Sequence, residues 1–423
     1  MSVEPILASL FPDSAVLLDH GVTIDGVELH DLASTYGTPL FVYDEATLRA
    51  RCREAALVFD DGVAFASKSF LCGAMARLAY EEGLCVDVAT GGELDIVLRA
   101  GVPASRVIMH GNNKSDEEID QAIAARVHRL VVDNFDEIDR LGSKIVPAAP
   151  LNVLVRVTPG VEAHTHEYVR TGQEDTKFGF SVASGDARRA ISLLRAMAGV
   201  TVHGVHAHIG SQIFEVKGFR ESMAILAHFT RDDDFDELCV GGGLGVAYVA
   251  GETAPSITEW ARALRDAATE SGLATSTRII AEPGRAIVAQ AGLTLYRVGV
   301  VKTVTQRTYM AVDGGMSDNP RPVLYGSGYE AFDVDHPLAP RSQKVRLVGK
   351  HCESGDVLID EAYLPASTKP GSLIATPVTG AYGYSMASNY NRVPRPAVVF
   401  VRDGHAREVL RRETFDDLAQ LEV

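Results

Sequence analysis

A chain of 423 residues is longer than one ordinary domain, so it should hold two domains, or one barrel with an addition. Its 46% hydrophobic and 23% charged residues are ordinary for a globular protein, and a formal net charge of -16 with no basic tract argues against nucleic acid and anionic membrane as partners. The cysteines, Cys52, Cys72, Cys85, Cys239 and Cys352, are scattered and form no CxxC pair, which suits a reducing cytoplasm better than a disulfide framework or a zinc site.

Met1 to Leu18 carries Glu4 and Asp13 and no Lys or Arg, so it does not read as a signal peptide, and no apolar run is long enough to span a membrane. Residues 1–38 read as short extended pieces, Ala15 to Leu18 and Val22 to Leu29, the second folded about a turn at Asp25-Gly26. Leu40 to Val42 is strand-like, and a helix follows with Asp44 as its N-cap. A regular alternation then begins. Apolar strands are expected at Val63 to Ala66, Cys85 to Val88, Val107 to Met109, Arg129 to Val132, Val153 to Val157, Val205 to His208, Leu238 to Val240 and Arg278 to Ala281. Helical patterns fill the gaps, among them Gly73 to Glu82, Gly92 to Arg99, Asp116 to Ala125, Asp186 to Met197, Phe219 to Phe229 and Ile257 to Ser271. This predicts an α/β fold, a (β/α)8 barrel of the TIM type over residues 39–290, with a doubly wound sheet as the poorer alternative. After residue 290 the strands Val298 to Val304, Thr308 to Val312, Lys344 to Val348, Val357 to Leu364, Ser372 to Thr376 and Ala397 to Arg402 predict a C-terminal β-domain over 291–423, sandwich-like or barrel-like. The N-terminal strands of 1–38 have no other partner and are expected to complete it.

Active sites of such barrels lie at the C-terminal ends of the strands. The first strand ends in Lys68, the second in Asp87 and Thr90-Gly91-Gly92-Glu93, the third in His110-Gly111-Asn112 and the fifth in Arg156. The sixth ends in His206-Ala207-His208-Ile209-Gly210-Ser211, the seventh in Gly241-Gly242-Gly243-Leu244-Gly245 and the eighth in Glu282-Pro283-Gly284-Arg285. A lysine closing a buried strand either snorkels to the rim or serves as a Schiff-base amine with a lowered pKa. A glycine run after the seventh strand is either a tight connection or the phosphate seat usual in such barrels, with Arg285 as a charged contact. Glu282 either pairs with Arg285 or faces a protonated ring nitrogen. Schiff-base lysine, phosphate seat and carboxylate together describe a site for pyridoxal 5'-phosphate (PLP). The rival is a metal-dependent hydrolase, in which His206 and His208 would share a strand face as ligands, joined by His110 or Asp87; it leaves Lys68 and the glycines without a role.

Lys68, His206-Ala207-His208-Ile209-Gly210-Ser211-Gln212, Gly241-Gly242-Gly243, Glu282-Pro283-Gly284-Arg285, Cys352-Glu353-Ser354-Gly355-Asp356 and Gly380-Ala381-Tyr382 form a motif series that resembles the fold-type III PLP decarboxylases. Supporting pieces are His164-Thr165-His166, Thr171-Gly172, Lys177-Phe178-Gly179 and Arg321-Pro322-Val323-Leu324-Tyr325-Gly326. The match runs from about Phe41 to Arg392 in the family's order, and it is strongest toward the branch that acts on diaminopimelate. Phe65 and Ser67, and Lys350-His351 ahead of Cys352, depart from common family residues.

The resemblance implies an alanine-racemase-like barrel with a β-domain, in a homodimer whose active sites are shared across the interface. It implies that Lys68 holds PLP and His208 stacks on its ring, that Gly241, Gly242, Gly243, Arg285 and Tyr382 surround the phosphate, that Ser211 and Gly284 also contact the cofactor, and that Glu282 keeps the ring nitrogen protonated. Arg285, Arg321, Tyr325, Glu353 and Tyr382 would contact the amino-acid substrate, and Cys352 from the second subunit would return a proton. The implied reaction is loss of CO2 from the D-centre of meso-diaminopimelate to give L-lysine, with ornithine, arginine or carboxynorspermidine as alternative substrates. A racemase or a non-catalytic PLP carrier stays open on the same barrel; the first would want a tyrosine in place of Cys352, and the second would need no β-domain.

Overall fold

Eight short apolar runs become the parallel strands of a barrel, in a computed structural model that describes residues 9–146, 150–161 and 176–423. They are Ala64–Ala66, Cys85–Val88, Val107–Met109, Arg129–Val132, Leu151–Thr158, Val200–His206, Glu237–Cys239 and Arg278–Ile280, hydrogen-bonded in chain order. The ring closes where Val63 bridges Ala281 in parallel, with Ala64 N–H donating to the Ala281 carbonyl and Ala281 N–H to that of Gly62, both at 2.9 Å.

One residue from each of seven strands, Ala64, Cys85, Ile108, Val131, Leu154, Cys239 and Ile280, enters a single buried cluster. The sixth strand instead carries Gly204 opposite Leu154, where a Cβ would stand 1.7 Å from the Glu237 carbonyl oxygen. Only glycine lets the two strands approach that closely. At the N-terminal ends of the strands Arg129 forms a two-pronged pair with Glu237 (2.9 and 2.6 Å), and Arg278 binds the same carboxylate. That rim is thus committed to a buried ion network, and chemistry is left to the other.

The outer helices start where caps dictate. Thr90 caps Gly91–Arg99, and Ser115 and Ser256 form capping boxes with Glu118 and Glu259. Gly91–Arg99 begins within one turn of the end of Cys85–Val88, whereas longer loops lead from Val107–Met109 to Asp116–Ala125 and from Glu237–Cys239 to Ile257–Glu270.

The chain folds into two compact units, and neither is one continuous stretch. The barrel unit runs from Cys52 to Val246 and from Ala254 to Ala286. The β-rich unit takes the described residues up to Arg51, then Ala247–Thr253, then Ile287–Val423. Its main sheet runs Val357–Leu364, Gln343–Val348, Arg307–Val312, Gly292–Val304, Leu40–Asp44, Ala397–Arg402, His405–Leu410, with Leu373–Pro377 and Phe332–Asp333 attached at the side.

The expected start of the barrel at residue 39 differs from this division. Leu40–Asp44 is buried at all five positions and lies between Gly292–Val304 and Ala397–Arg402, as a strand covered on both faces must. The N-terminal strands Ala15–Leu18, Gly21–Ile24 and Val27–Glu28 also differ in detail. They make their own three-stranded sheet, turned at Asp25 and Gly26 with φ of 45° and 81°. They join the β-rich unit through its core, where Val22, Ile24 and Leu29 pack with Val42, Leu293, Leu373 and Val399.

Candidate active site

At the C-terminal mouth of the barrel, the first strand stops at Ala66 and turns through the short 3-10 segment Ser67–Ser69. Lys68 sits on that turn and is exposed, so the burial argument made from sequence does not apply to it. Its charge still reaches inward: it lowers the proton affinity of Asp87 and of His208. Burial pushes Asp87 up to about 7, against the pull of His110 and Lys68 and with the push of Glu282.

Glu282 is the electrostatic centre of the mouth. It is buried, and it is not paired with Arg285. Its Oε1 lies 3.0 Å from His110 Nε2 and its Oε2 lies 3.0 Å from His206 Nε2. Burial alone would raise its pKa, yet the two imidazoles hold it well below the usual carboxylate range. His206 is driven down to about 4 by burial, so it is neutral at pH 7 and donates from Nε2.

The sixth strand ends at His206, and His208 lies beyond it in the loop. The two histidines therefore do not share a strand face, which corrects the metal-ligand expectation for that pair. His208 Nδ1 instead accepts the Gly242 N–H at 3.2 Å, which places its proton on Nε2. Desolvation, then Lys68 and Arg156, keep it well below the ordinary histidine range.

The glycine run is required by the walls around it. A Cβ at Gly241 would meet the Ala207 carbonyl oxygen at 2.6 Å, one at Gly242 the Glu282 carbonyl oxygen at 2.3 Å, and one at Gly243 that of Gly210 at 2.3 Å. Beside it Arg285 Nη2 donates to Ser211 Oγ at 2.9 Å, and Gly284 admits no Cβ because Ala66 stands 2.9 Å away. A backbone cradle, a guanidinium, a neutral imidazole, a buried carboxylate and an amine at one mouth fit the phosphate, ring and aldehyde of PLP. Among the described residues, His110, His206 and Glu282 are also the group with metal-ligand spacing, their ligand atoms lying within 4.8 Å of one another.

Behind this mouth, Lys114 is fully buried and donates to the Gly111 and Val131 carbonyls and to Glu137 Oε1 at 2.7 to 2.8 Å. Glu137 Oε2 accepts the Asp133 N–H at 2.9 Å. The pair ties together the loops after the third and fourth strands, one of which carries His110. Sequence patterns pointed to none of His110 as a brace, Lys114 or Glu137; the only trace was the position of His110 at a strand end.

In the β-rich unit Arg321 opens the short helix Arg321–Tyr325 and is buried. Burial would weaken its hold on the proton, but Tyr248, Tyr329 and Tyr382 outweigh that and raise its pKa. Tyr325 is half-buried on the same helix, while the tyrosine that bonds Arg321 is Tyr329, which the sequence did not single out. Cys352 and Glu353 lie on an exposed loop, so Cys352 is not a buried structural thiol; the other four cysteines are buried. Asp356 holds that loop, taking the N–H groups of Met316 at 2.7 Å and His351 at 2.9 Å. Tyr382 adopts φ of 61° and is half-buried. His164-Thr165-His166 and Thr171-Gly172 lie outside the described residues.

Residues 45–289 match the family model described as "Pyridoxal-dependent decarboxylase, pyridoxal binding domain". The chain is 47% identical to the diaminopimelate decarboxylase of Mycobacterium tuberculosis (strain ATCC 25618 / H37Rv) over 95% of each chain, and 45% identical to that of Bacillus subtilis (strain 168) over 96% of each. Among solved structures it resembles diaminopimelate decarboxylase from M. jannaschii, with a TM-score of 0.90, 30% identity, and coverage of 97% of this chain and 98% of that one. The Helicobacter pylori enzyme, solved with L-lysine, gives a TM-score of 0.85 at 28% identity, covering 93% and 98%. With lysine, carboxylate and glycine cradle on one barrel mouth and this likeness along nearly its whole length, the chain belongs to the pyridoxal-dependent decarboxylases, in their diaminopimelate decarboxylase branch.

Proposed function

We propose that the protein is a PLP-dependent carboxy-lyase that removes CO2 from the D-centre of meso-diaminopimelate and yields L-lysine, the last step of lysine biosynthesis. The observation that carries the substrate is Arg321, a buried guanidinium that meets no carboxylate among the described residues. A substrate with an amino-acid group at each end needs a carboxylate receptor as well as an ammonium receptor; a diamine-forming enzyme needs only the latter.

PLP, when bound, supplies an electron sink for the pair left on carbon as CO2 departs. The Lys68 amine would hold it covalently, and His208 would cover one face of its ring. Ser211, Gly241, Gly242, Gly243, Gly284, Arg285 and Tyr382 would hold its phosphate, and Glu282, braced by His110 and His206, would accept the ring N–H. Arg321, with Tyr325, Glu353, Arg285 and Tyr382, would orient the substrate. The Cys352 thiol would then return a proton to the carbon that lost CO2, and the thiolate would regain one from solvent. We assign Cys352 to the partner's site in a homodimer, and we place the enzyme in the cytoplasm with its biosynthetic substrate.

Purified, PLP-loaded protein should release CO2 and L-lysine from meso-diaminopimelate far faster than it decarboxylates ornithine or arginine. Preference for either of those would overturn the substrate. The grouping of His110, His206 and Glu282 motivates one rival, a metal-dependent hydrolase; activity lost to a chelator and restored by a divalent ion would favour it.

A further inference from the structure

We propose that Tyr248 and Tyr329 are positioning residues that aim Arg321 at the far carboxylate of the substrate, a proposal that rests on the reading of Arg321 just given. Arg321 is 4% exposed. Its guanidinium carbon stands 4.2 Å over the ring of Tyr248 and 5.5 Å from the ring centre of Tyr329. Its Nη1 donates to the Tyr329 hydroxyl at 2.5 Å. The two rings meet edge to face, with centroids 5.3 Å apart and planes at 82°. One ring covers a face of the guanidinium, and one phenol takes one of its N–H groups.

The chemistry of this cage matters more than its packing. A buried guanidinium has five N–H donors and a full charge, and proteins normally meet it with a carboxylate. Here the partners are an aromatic face and a phenol hydroxyl, not a carboxylate. A π-face and a phenol oxygen restrain the fork without neutralising it. An aspartate in either place would hold Arg321 as firmly and would compete with an incoming carboxylate. The edge not taken by Tyr329 keeps the planar geometry that a carboxylate binds with two parallel hydrogen bonds.

The cage is itself fixed. Both tyrosines are buried, at 4% and 3% exposure. Tyr248 belongs to the segment Ala247–Thr253, which interrupts the barrel sequence and folds with the β-rich unit. Its N–H donates to Glu252 Oε2 at 2.8 Å. Two residues on, the Ala250 N–H donates to Glu330 Oε1 at 3.4 Å, and Glu330 is held in turn by Arg341 at 2.6 Å. Gly328 leaves room for Val249, whose Cγ1 would lie 3.0 Å from a Cβ there. The segment that supplies Tyr248 and the loop that supplies Tyr329 are thus joined by a hydrogen bond and by the close approach of Val249 to Gly328.

The test uses the PLP-loaded enzyme and meso-diaminopimelate. Tyr248→Leu removes the π-face, and Tyr329→Phe removes only the phenol oxygen. Each should raise KM about tenfold while kcat stays within about twofold, and PLP affinity and melting temperature should not move. Tyr248→Phe, which keeps the ring, should restore KM. In an Arg321→Ala background neither tyrosine change should raise KM further. If Arg321→Ala raises KM and the tyrosine variants do not, the positioning proposal is overturned and the substrate reading stands. If Arg321→Ala leaves KM unchanged, the substrate reading itself fails. A joint fall of kcat, PLP affinity and melting temperature in the Tyr329→Phe variant would show ordinary packing and would also overturn the proposal.

Discussion

Replacing His206 with leucine should loosen the hold on PLP without touching Lys68. In the native mouth His206 donates one hydrogen bond, at 3.0 Å, to a carboxylate that is itself buried. Its Nδ1 has no partner among the described residues, so the single proton of the neutral ring stands on Nε2 and faces Glu282. A hydrogen bond to an ionised group contributes about 1.5 to 3 kcal/mol. Leucine fills similar space and offers no donor, leaving Glu282 to His110 alone. Glu282 should then hold a proton more readily, its pKa moving up toward the usual carboxylate range. Glu282 stays ionised at neutral pH but is then held from one side only, and losing that bond's worth of placement against the ring N–H should raise the dissociation constant for PLP by about tenfold and at most about a hundredfold. Fluorescence titration of the cofactor-free protein measures this directly. The pH dependence gives a second reading. Because folded Glu282 lies below its unfolded value of about 4.5, its contribution to stability is present above that pH and lost as pH falls through the folded value. In the variant that loss should begin at a higher pH. PLP affinity unchanged from wild type, with an unchanged acid limb, would refute the view that His206 braces Glu282.

Lys68→Ala should abolish turnover and leave no cofactor attached after borohydride reduction, while the protein still folds; a normal cofactor absorbance with ordinary activity would remove Lys68 from its role. An inactive Lys68→Ala chain mixed with an inactive Cys352→Ala chain should recover about a quarter of wild-type activity, since about half the dimers are mixed and each mixed dimer keeps one intact site. No recovery after proven subunit exchange would place Cys352 in its own chain's site or outside catalysis altogether. Burial pushes Asp318 up to about 7, where Tyr296 and the Gly315 N–H bond it. Its folded pKa exceeds the unfolded value near 3.8, so its contribution is present below that pH and fades as pH rises through 7. Urea melts at pH 5.5 and 8 should show a wild-type decline that Asp318→Asn lacks; parallel curves would contradict this.

The barrel was readable because its signal is local. Runs such as Cys-Val-Asp-Val at Cys85–Val88 carry their own apolar pattern, and capped helices separate them. The chemistry was readable because barrel topology turns sequence position into location: a residue at a strand end is at the mouth. What failed needed knowledge of where a strand stops or what lies beside it. His206-Ala207-His208 reads as one strand face only if the strand continues, and it ends at His206. Leu40–Asp44 is as apolar as a barrel strand, and its partners are more than two hundred residues away. His405–Leu410 is half exposed, buried at no position and paired on one side only, so it lacks the apolar run that marks a strand. Tyr248 and Tyr329 are lone tyrosines in loops, and only the fold brings both to Arg321.

The place of Leu40–Asp44 also orders events during synthesis. This strand leaves the ribosome among the first, yet the two strands that flank it are Gly292–Val304 and Ala397–Arg402. At some 5 to 20 residues per second, it waits on the order of tens of seconds for the later of them. Meanwhile every barrel strand has emerged and can find its neighbours in chain order. The nascent chain therefore carries an unpaired, largely apolar strand while the barrel folds, the kind of edge that recruits other chains. Shortening the gene from its 3' end should turn a folded enzyme into an aggregating one as soon as Ala397–Arg402 is lost, well before any barrel residue is reached.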